Sequence, residues 1–279
     1  MTRLSTVVVM AADGVTRPSP KEYLAYGVAA DLGTGYPCAV DGAHLAGVLA
    51  ARSRGDAHRL PRPDGGRLVV VGAGLAGLEL ASDAHDLGYR VTVVEAERTV
   101  LPGLVSPATA AFLVDRHAAR GVPVLTGTVV TRVVGADGRV VGVETDAGGV
   151  VEADLVAFTC GPRAAHARPS VRRPTPWLWS RQAGHRLQLA GRTAHPDVTV
   201  LRGDPTVGPF SRFCFRDGLL TGVESVDHDT VHRAARHLLA ARHDVTMDDL
   251  VTTGFDPGDL GGHGRFTSPA WTSPRPGTR

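Results

Sequence analysis

Lysine is all but missing: Lys21 is the single one among 30 basic residues, the rest being Arg. Against 28 acidic residues this leaves a formal net charge of +2, with no basic run of any length. That argues against nucleic acid as a main partner. The Arg, Ala and Gly bias is given no functional meaning. Cysteine is sparse as well. Cys38, Cys160 and Cys214 are too few and too scattered for a disulfide framework or a zinc site. Long apolar runs are also lacking. The longest nearly apolar stretch, 68–81, is interrupted by glycines and a Glu, and is too short and broken to span a membrane. The first ten residues carry one Arg and a small apolar patch, a poor signal peptide and a better short β-strand. These absences predict a cytoplasmic protein with neither a membrane nor a nucleic-acid partner. What is present is ordinary globular composition, 43% hydrophobic and 21% charged over 279 residues. That suffices for a sizeable core and about two domains.

The chain reads in parts. Residues 1–65 form an N-terminal remnant and linker, with a strand at 6–10 and a helix at 41–55. Residues 66–163 follow a clear α/β order. A buried strand at 67–71 leads into a turn at 72–77 and a helix at 78–87. A second strand at 90–95 completes a βαβ unit of the usual ~30 residues. A helix at 107–120 follows, then a strand made of 124–125 with 128–134. A hairpin at 139–145 and 150–154 precedes a return strand at 155–160. This order predicts a doubly wound, parallel, Rossmann-like sheet with a β-meander insert on one connection. After a linker at 164–174, residues 175–258 read as a smaller α+β domain. Its strands are expected at 187–190, 198–202, 210–216 and 219–225, with Asp217-Gly218 as a hairpin turn. Its amphipathic helix is expected at 230–242, with a short helix at 247–251. Residues 259–279 read as a flexible tail.

The strongest chemical signal is Gly72-Ala73-Gly74-Leu75-Ala76-Gly77 between an apolar strand and a helix, with Glu95 ending the next strand. Gly72 permits the tight turn, Gly74 lets backbone approach a pyrophosphate, and Gly77 brings helix and strand close. The diphosphate rests on the free N–H groups of the helix start. Glu95 lies about 20 residues on, where a carboxylate meets ribose hydroxyls and repels a 2′-phosphate. NAD is therefore favoured over NADP, with Arg98 nearby to soften the preference. A glycine-rich turn that binds nothing is the bland alternative. Glu79 has two readings: an acid placed in the first helical turn for the helix dipole, or a hydrogen bond to a nicotinamide carboxamide.

The run Gly72-x-Gly74-x-x-Gly77-x-Glu79, then 88–95 and Leu101-Pro102, resembles the NAD domain of FAD/NAD-dependent ferredoxin reductases, in the pyridine nucleotide–disulfide oxidoreductase group. The likeness continues through 112–117, 153–157 and Gly161. It resumes at Pro176-Trp177-Leu178-Trp179-Ser180, 186–191 and 201–205, which resemble the reductases' C-terminal domain. The resemblance implies NADH passing hydride to FAD, and electrons passing singly to an iron–sulfur partner protein; without flavin, a chain that still binds NADH would act on a small-molecule substrate instead. It also extends the cofactor-binding set to Gly161. Two departures stand out. The early strand is followed by Ala11-Ala12-Asp13-Gly14, with one glycine where an FAD fingerprint needs three. Only the thirteen residues 162–174 occupy the place of the returning FAD segment. The FAD domain is therefore expected to be missing or degenerate, and its former surface is a candidate substrate pocket or homodimer interface. Leu75, where the family often has an aromatic near flavin, agrees with that. The alternative function is a redox-inactive scaffold, acting as a binding protein or as a cyclase or isomerase.

Other candidates have bland readings. Trp177 and Trp179 share one strand face and suit packing. His228 and His232, four apart, suit a solvated helix face better than a metal, since no third ligand is spaced for it. Cys160 ends a strand where ligands gather, or is a small buried apolar residue.

Overall fold

A computed structural model describes residues 40–51, 57, 60–61, 65–159, 177–193, 195–240, 245–247 and 250. The expected strand at 6–10, the linker at 164–174, the tail, and Cys38, Cys160 and Gly161 lie outside these, as does most of the expected helix at 247–251.

Arg67–Val71 (β2) carries the apolar run Leu-Val-Val-Val, whose first three side chains are buried. A strand with both faces covered is what such a run demands. Leu75–Asp86 (α1) follows, then Arg90–Val94 (β3), Pro107–Ala119 (α2) and Val124–Leu125 (β4). Ser106 caps α2, accepting the Thr109 N–H at 3.4 Å, and Pro107 occupies the first position, where its missing N–H costs nothing. The chain then makes an antiparallel meander, Val130–Ala136 (β5), Arg139–Thr145 (β6) and Val150–Glu152 (β7), before Leu155–Phe158 (β8) returns beside β2. With Val48–Ala50 (β1) the parallel sheet has the order β1-β8-β2-β3-β4. The chain order reverses beside β2, with β3 on one side and β8 on the other. Ligands bind at such a switch point, off the C-terminal strand ends.

Two expectations are corrected. Of the helix expected at 41–55, the described residues 41–51 form turns and the strand β1 instead. Val48 pairs in parallel with Val156, and Gly47 adopts φ 98°. A Cβ at Gly47 would lie 2.7 Å from the Val140 side chain, so the backbone passes close beneath the meander. Sheet pairing has overridden a local helical period. The strand expected from 124–125 with 128–134 is two strands in different sheets, separated at Gly127 with φ 63°.

The remaining strands are Trp177–Gln182 (β9), His185–Gly191 (β10), Val198–Gly203 (β11), Phe210–Arg216 (β12) and Leu219–Val226 (β13). They form one antiparallel sheet of order β11-β12-β13-β10-β9. Asp217-Gly218 turns the β12–β13 hairpin with positive φ at both residues, as a two-residue hairpin loop prefers. Asp229–Ala240 (α3) covers one face through Val231, Ala235 and Leu238 against Ala190, Phe213 and Val223. The other face, with Leu178, Leu187, Leu189, Phe210 and Val226, packs into the core that also holds Leu68, Val70, Leu78 and Leu113. The C-terminal sheet and the nucleotide fold thus share a single apolar core. No helix among the described residues is long and apolar enough to cross a membrane.

Candidate functional site

The geometry begins where β2 stops. Gly72 has φ 109°, a conformation that costs a side chain dearly, and its N–H donates to Val94 O at 2.8 Å. The Thr159 hydroxyl lies 3.0 Å from both Val71 O and Gly72 O and anchors the turn from β8. A Cβ on Gly77 would fall 1.9 Å from Gly72 O, so only glycine lets α1 start this close to β2. Gly74 is the opposite case. It is exposed, caps α1 with no side-chain partner, and a Cβ there would meet nothing within 4 Å. The open space lies at the backbone N–H groups of a helix start, where a diphosphate is held best. Ala73 and Leu75 are buried in the core, and Ala76 is half-buried.

Glu95 follows directly on β3, and its side chain turns back onto this loop. Its Oε2 accepts the Ala73 N–H at 2.6 Å and its Oε1 accepts the Glu97 N–H at 2.8 Å. The side chain is only 8% exposed. Both oxygens keep a further lone pair for ribose hydroxyls. The residues present fit a dinucleotide: an open glycine, free amides and a fixed carboxylate meet at one sheet edge. Among the described residues no second glycine-rich turn of this kind opens a helix from a parallel strand.

Glu79 is not in the first turn, because α1 begins at Leu75. The dipole reading therefore fails. Glu79 is 2% exposed and accepts the Arg181 N–H at 3.3 Å, while Ser82 Oγ accepts the Ala183 N–H at 3.0 Å. The Arg181 amide lies on β9, the sheet's edge strand, and the Ala183 amide in the turn that follows it, and α1 side chains satisfy both.

His232 corrects another expectation. It is buried, not solvated, with Nδ1 3.2 Å from Ser225 Oγ; Ser225 Oγ is 2.8 Å from Ser211 Oγ, which is 3.2 Å from His228 Nδ1. Burial lowers the pKa of His232 to about 3, and that of His117, 3.4 Å from Gln182 Oε1, to about 4. No metal-binding cluster occurs among the described residues. Trp177 and Trp179 are half-buried, with the Arg236 and Arg186 guanidiniums 4.5 and 5.3 Å from their ring centres. Burial raises the Cys214 thiol, which is no nucleophile.

Two contacts that sequence reasoning missed link the sheet systems. Glu224 on β13 is fully buried, and its carboxyl meets Ser106 N at 2.5 Å and Ser106 Oγ at 2.7 Å. Thr193 Oγ1 donates to Leu104 O at 2.6 Å. Ser106-Pro107 was a readable cap signal; nothing in sequence marked its partner.

A parallel sheet with a glycine turn and a buried acid at the end of the next strand, joined to an antiparallel α+β unit, defines a Rossmann-like fold of the kind that dinucleotide-dependent oxidoreductases use. The family model described as pyridine nucleotide-disulphide oxidoreductase matches residues 28–198, and the reductase C-terminal model matches residues 177–258. The chain belongs to the pyridine nucleotide-disulphide oxidoreductase family. It is 32% identical to rhodocoxin reductase of Rhodococcus erythropolis over 284 residues, covering 78% of this chain and 66% of that one. It is 36% identical to rubredoxin-NAD(+) reductase of Pseudomonas putida over 156 residues, covering 55% and 39%. Among solved structures, the ferredoxin reductase for the CYP199A2 system of Rhodopseudomonas palustris matches with a TM-score of 0.73 and 27% identity, over 82% of this chain and 73% of that one. The chain spans about two thirds of the length of the full-span curated relatives.

Proposed function

We propose that the chain is a ferredoxin-reductase-like oxidoreductase that binds NADH in preference to NADPH on the 72–77 turn and lacks a standard FAD site. The observation that carries the reading is Glu95 fixed on the Ala73 amide beside the open, exposed Gly74. A carboxylate there accepts hydrogen bonds from a ribose diol and repels a 2′-phosphate. Gly72, Ala73, Gly74, Leu75, Ala76 and Gly77 shape the cradle, and Gly161 belongs to the same set by resemblance. Residues 66–163 would be the NAD domain and 175–258 the C-terminal domain.

When bound, the nicotinamide supplies a hydride. The chain's own residues bind and orient it: the α1 amides hold the diphosphate and Glu95 fixes the adenosine end. The position of Glu79 behind β9 supports a docking role for it in place of nicotinamide contact. The electron acceptor is a redox partner protein or a small molecule. The names of the reductase relatives favour the former.

Loss of the FAD segment is supported by the alignment itself. The stretch shared with rhodocoxin reductase is 284 residues long, yet takes up 78% of this 279-residue chain. Part of the relative's aligned length has no counterpart here. The same fact, with the direct packing of the C-terminal sheet on the nucleotide fold, favours a second reading as a redox-inactive scaffold. An absorbance spectrum of purified protein followed by NADH titration separates them. A fluorescence response to NADH with NADH-dependent reduction of a dye supports the oxidoreductase. Binding without turnover supports the scaffold. A tightly held flavin contradicts the missing FAD site.

A further inference from the structure

The glycine turn is held from behind by residues 101–106. Leu101 N–H donates to Ala73 O at 3.0 Å. The 73–74 peptide is planar and trans, so its Gly74 N–H points opposite to that carbonyl. Leu101 therefore sets where the Gly74 N–H aims, and this amide lies at the open side of the cradle. Leu101 itself sits at φ 48°, a conformation that surrounding contacts must impose on a leucine.

The segment that follows Leu101 is tied to the C-terminal unit. Thr193 Oγ1 holds Leu104 O, and Glu224 holds both the N–H and the hydroxyl of Ser106. Glu224 has no exposed surface. A carboxyl buried so completely is costly unless its hydrogen bonds are all made. Ser106 is the cap of α2, so Glu224 fixes that helix start and the end of the 101–106 segment together.

We propose that Glu224 is a positioning residue for the dinucleotide: by gripping Ser106 it holds the 101–106 segment, and through Leu101 it aims the Gly74 amide. This rests on the reading of 72–77 as the nucleotide site. It also makes the C-terminal sheet a working part of that site, although the sheet supplies no side chain to the cradle.

The test compares NADH affinity of the full chain in Glu224→Gln, Glu224→Ala and Leu238→Ala, at a temperature where all are folded. Gln reproduces the acceptor for the Ser106 N–H and gains a donor for its hydroxyl. Leu238 belongs to α3 and packs against the opposite face of the same sheet. Glu224→Ala is expected to weaken NADH binding about tenfold, Glu224→Gln to stay within about twofold of wild type, and Leu238→Ala to lower the melting temperature without changing affinity. Unchanged affinity in Glu224→Ala, or an equal loss in Leu238→Ala, overturns the proposal. Hydrogen exchange without ligand separates failure of this inference from failure of the nucleotide reading. Should wild type bind no NADH, faster exchange of the Leu101 amide in Glu224→Ala than in Leu238→Ala still upholds the positioning role, and equal exchange removes it.

Discussion

Each glycine of the turn has a different task, and substitution separates them. A Cβ on Gly77 meets backbone at 1.9 Å, so Gly77→Ala is expected to cost about 1–3 kcal/mol of stability, read as a fall in melting temperature. A Cβ on Gly74 meets nothing, so Gly74→Ala should leave the melting temperature nearly unchanged while weakening NADH binding. Equal effects of the two on stability would show that Gly74 is structural. Glu95 is tested the same way. Glu95→Ala leaves the Ala73 N–H without its acceptor, at a cost of about 1–3 kcal/mol in denaturant unfolding, whereas Glu95→Gln keeps an acceptor there.

These residues were legible because the fingerprint states its own geometry: apolar strand, glycines at fixed offsets, acid at the next strand end. Glu79 and His232 were misread for one physical reason. The side of α1 that carries Glu79 is covered by β9, and the side of α3 that carries His232 faces the sheet of β10 and β13, so residues that sequence alone would place at a helix end or toward solvent are buried. Thr159 and Glu224 gave no sequence signal, since the partners lie 87 residues or more away in the chain.

At the scale of elements, strands that carry their own turn chemistry were readable. The β12–β13 hairpin with its Asp217-Gly218 turn is the clearest. β1 was not, because a three-residue strand defined by pairing with β8 has no periodicity of its own. The packing of α2 and α3 also sets a pH dependence. His117 and His232 titrate far below the ordinary imidazole range because burial penalises their charged forms. The unfolded chain then binds more protons than the folded one below about pH 6.5, so stability falls as pH drops from there to about 4 for His117 and about 3 for His232. Thermal unfolding between pH 7 and 4 should show this loss, and His232→Phe should flatten it. Glu224 acts with the opposite sign. Burial raises its carboxyl, so its contribution is complete in acid and is lost as pH rises through the folded value. Glu224→Gln should remove that component.

At the scale of the whole molecule, the C-terminal sheet packs into the same core as β2 and α1. One cooperative unfolding transition is expected, and calorimetry showing two separable transitions would contradict the shared core. Glu79 and Ser82 reinforce the joint by covering the β9 edge, so the double variant Glu79→Ala/Ser82→Ala should expose an unpaired strand and aggregate at lower temperature than wild type in light-scattering melts. The most direct measurement is the ratio of NADPH to NADH dissociation constants, taken by fluorescence titration on wild type and Glu95→Gln. Wild type should favour NADH by about tenfold or more, a difference of about 1.4 kcal/mol, and Glu95→Gln should bring the ratio close to one. Equal affinity of wild type for both nucleotides, or binding of neither, would contradict a dinucleotide site built on Gly74 and Glu95.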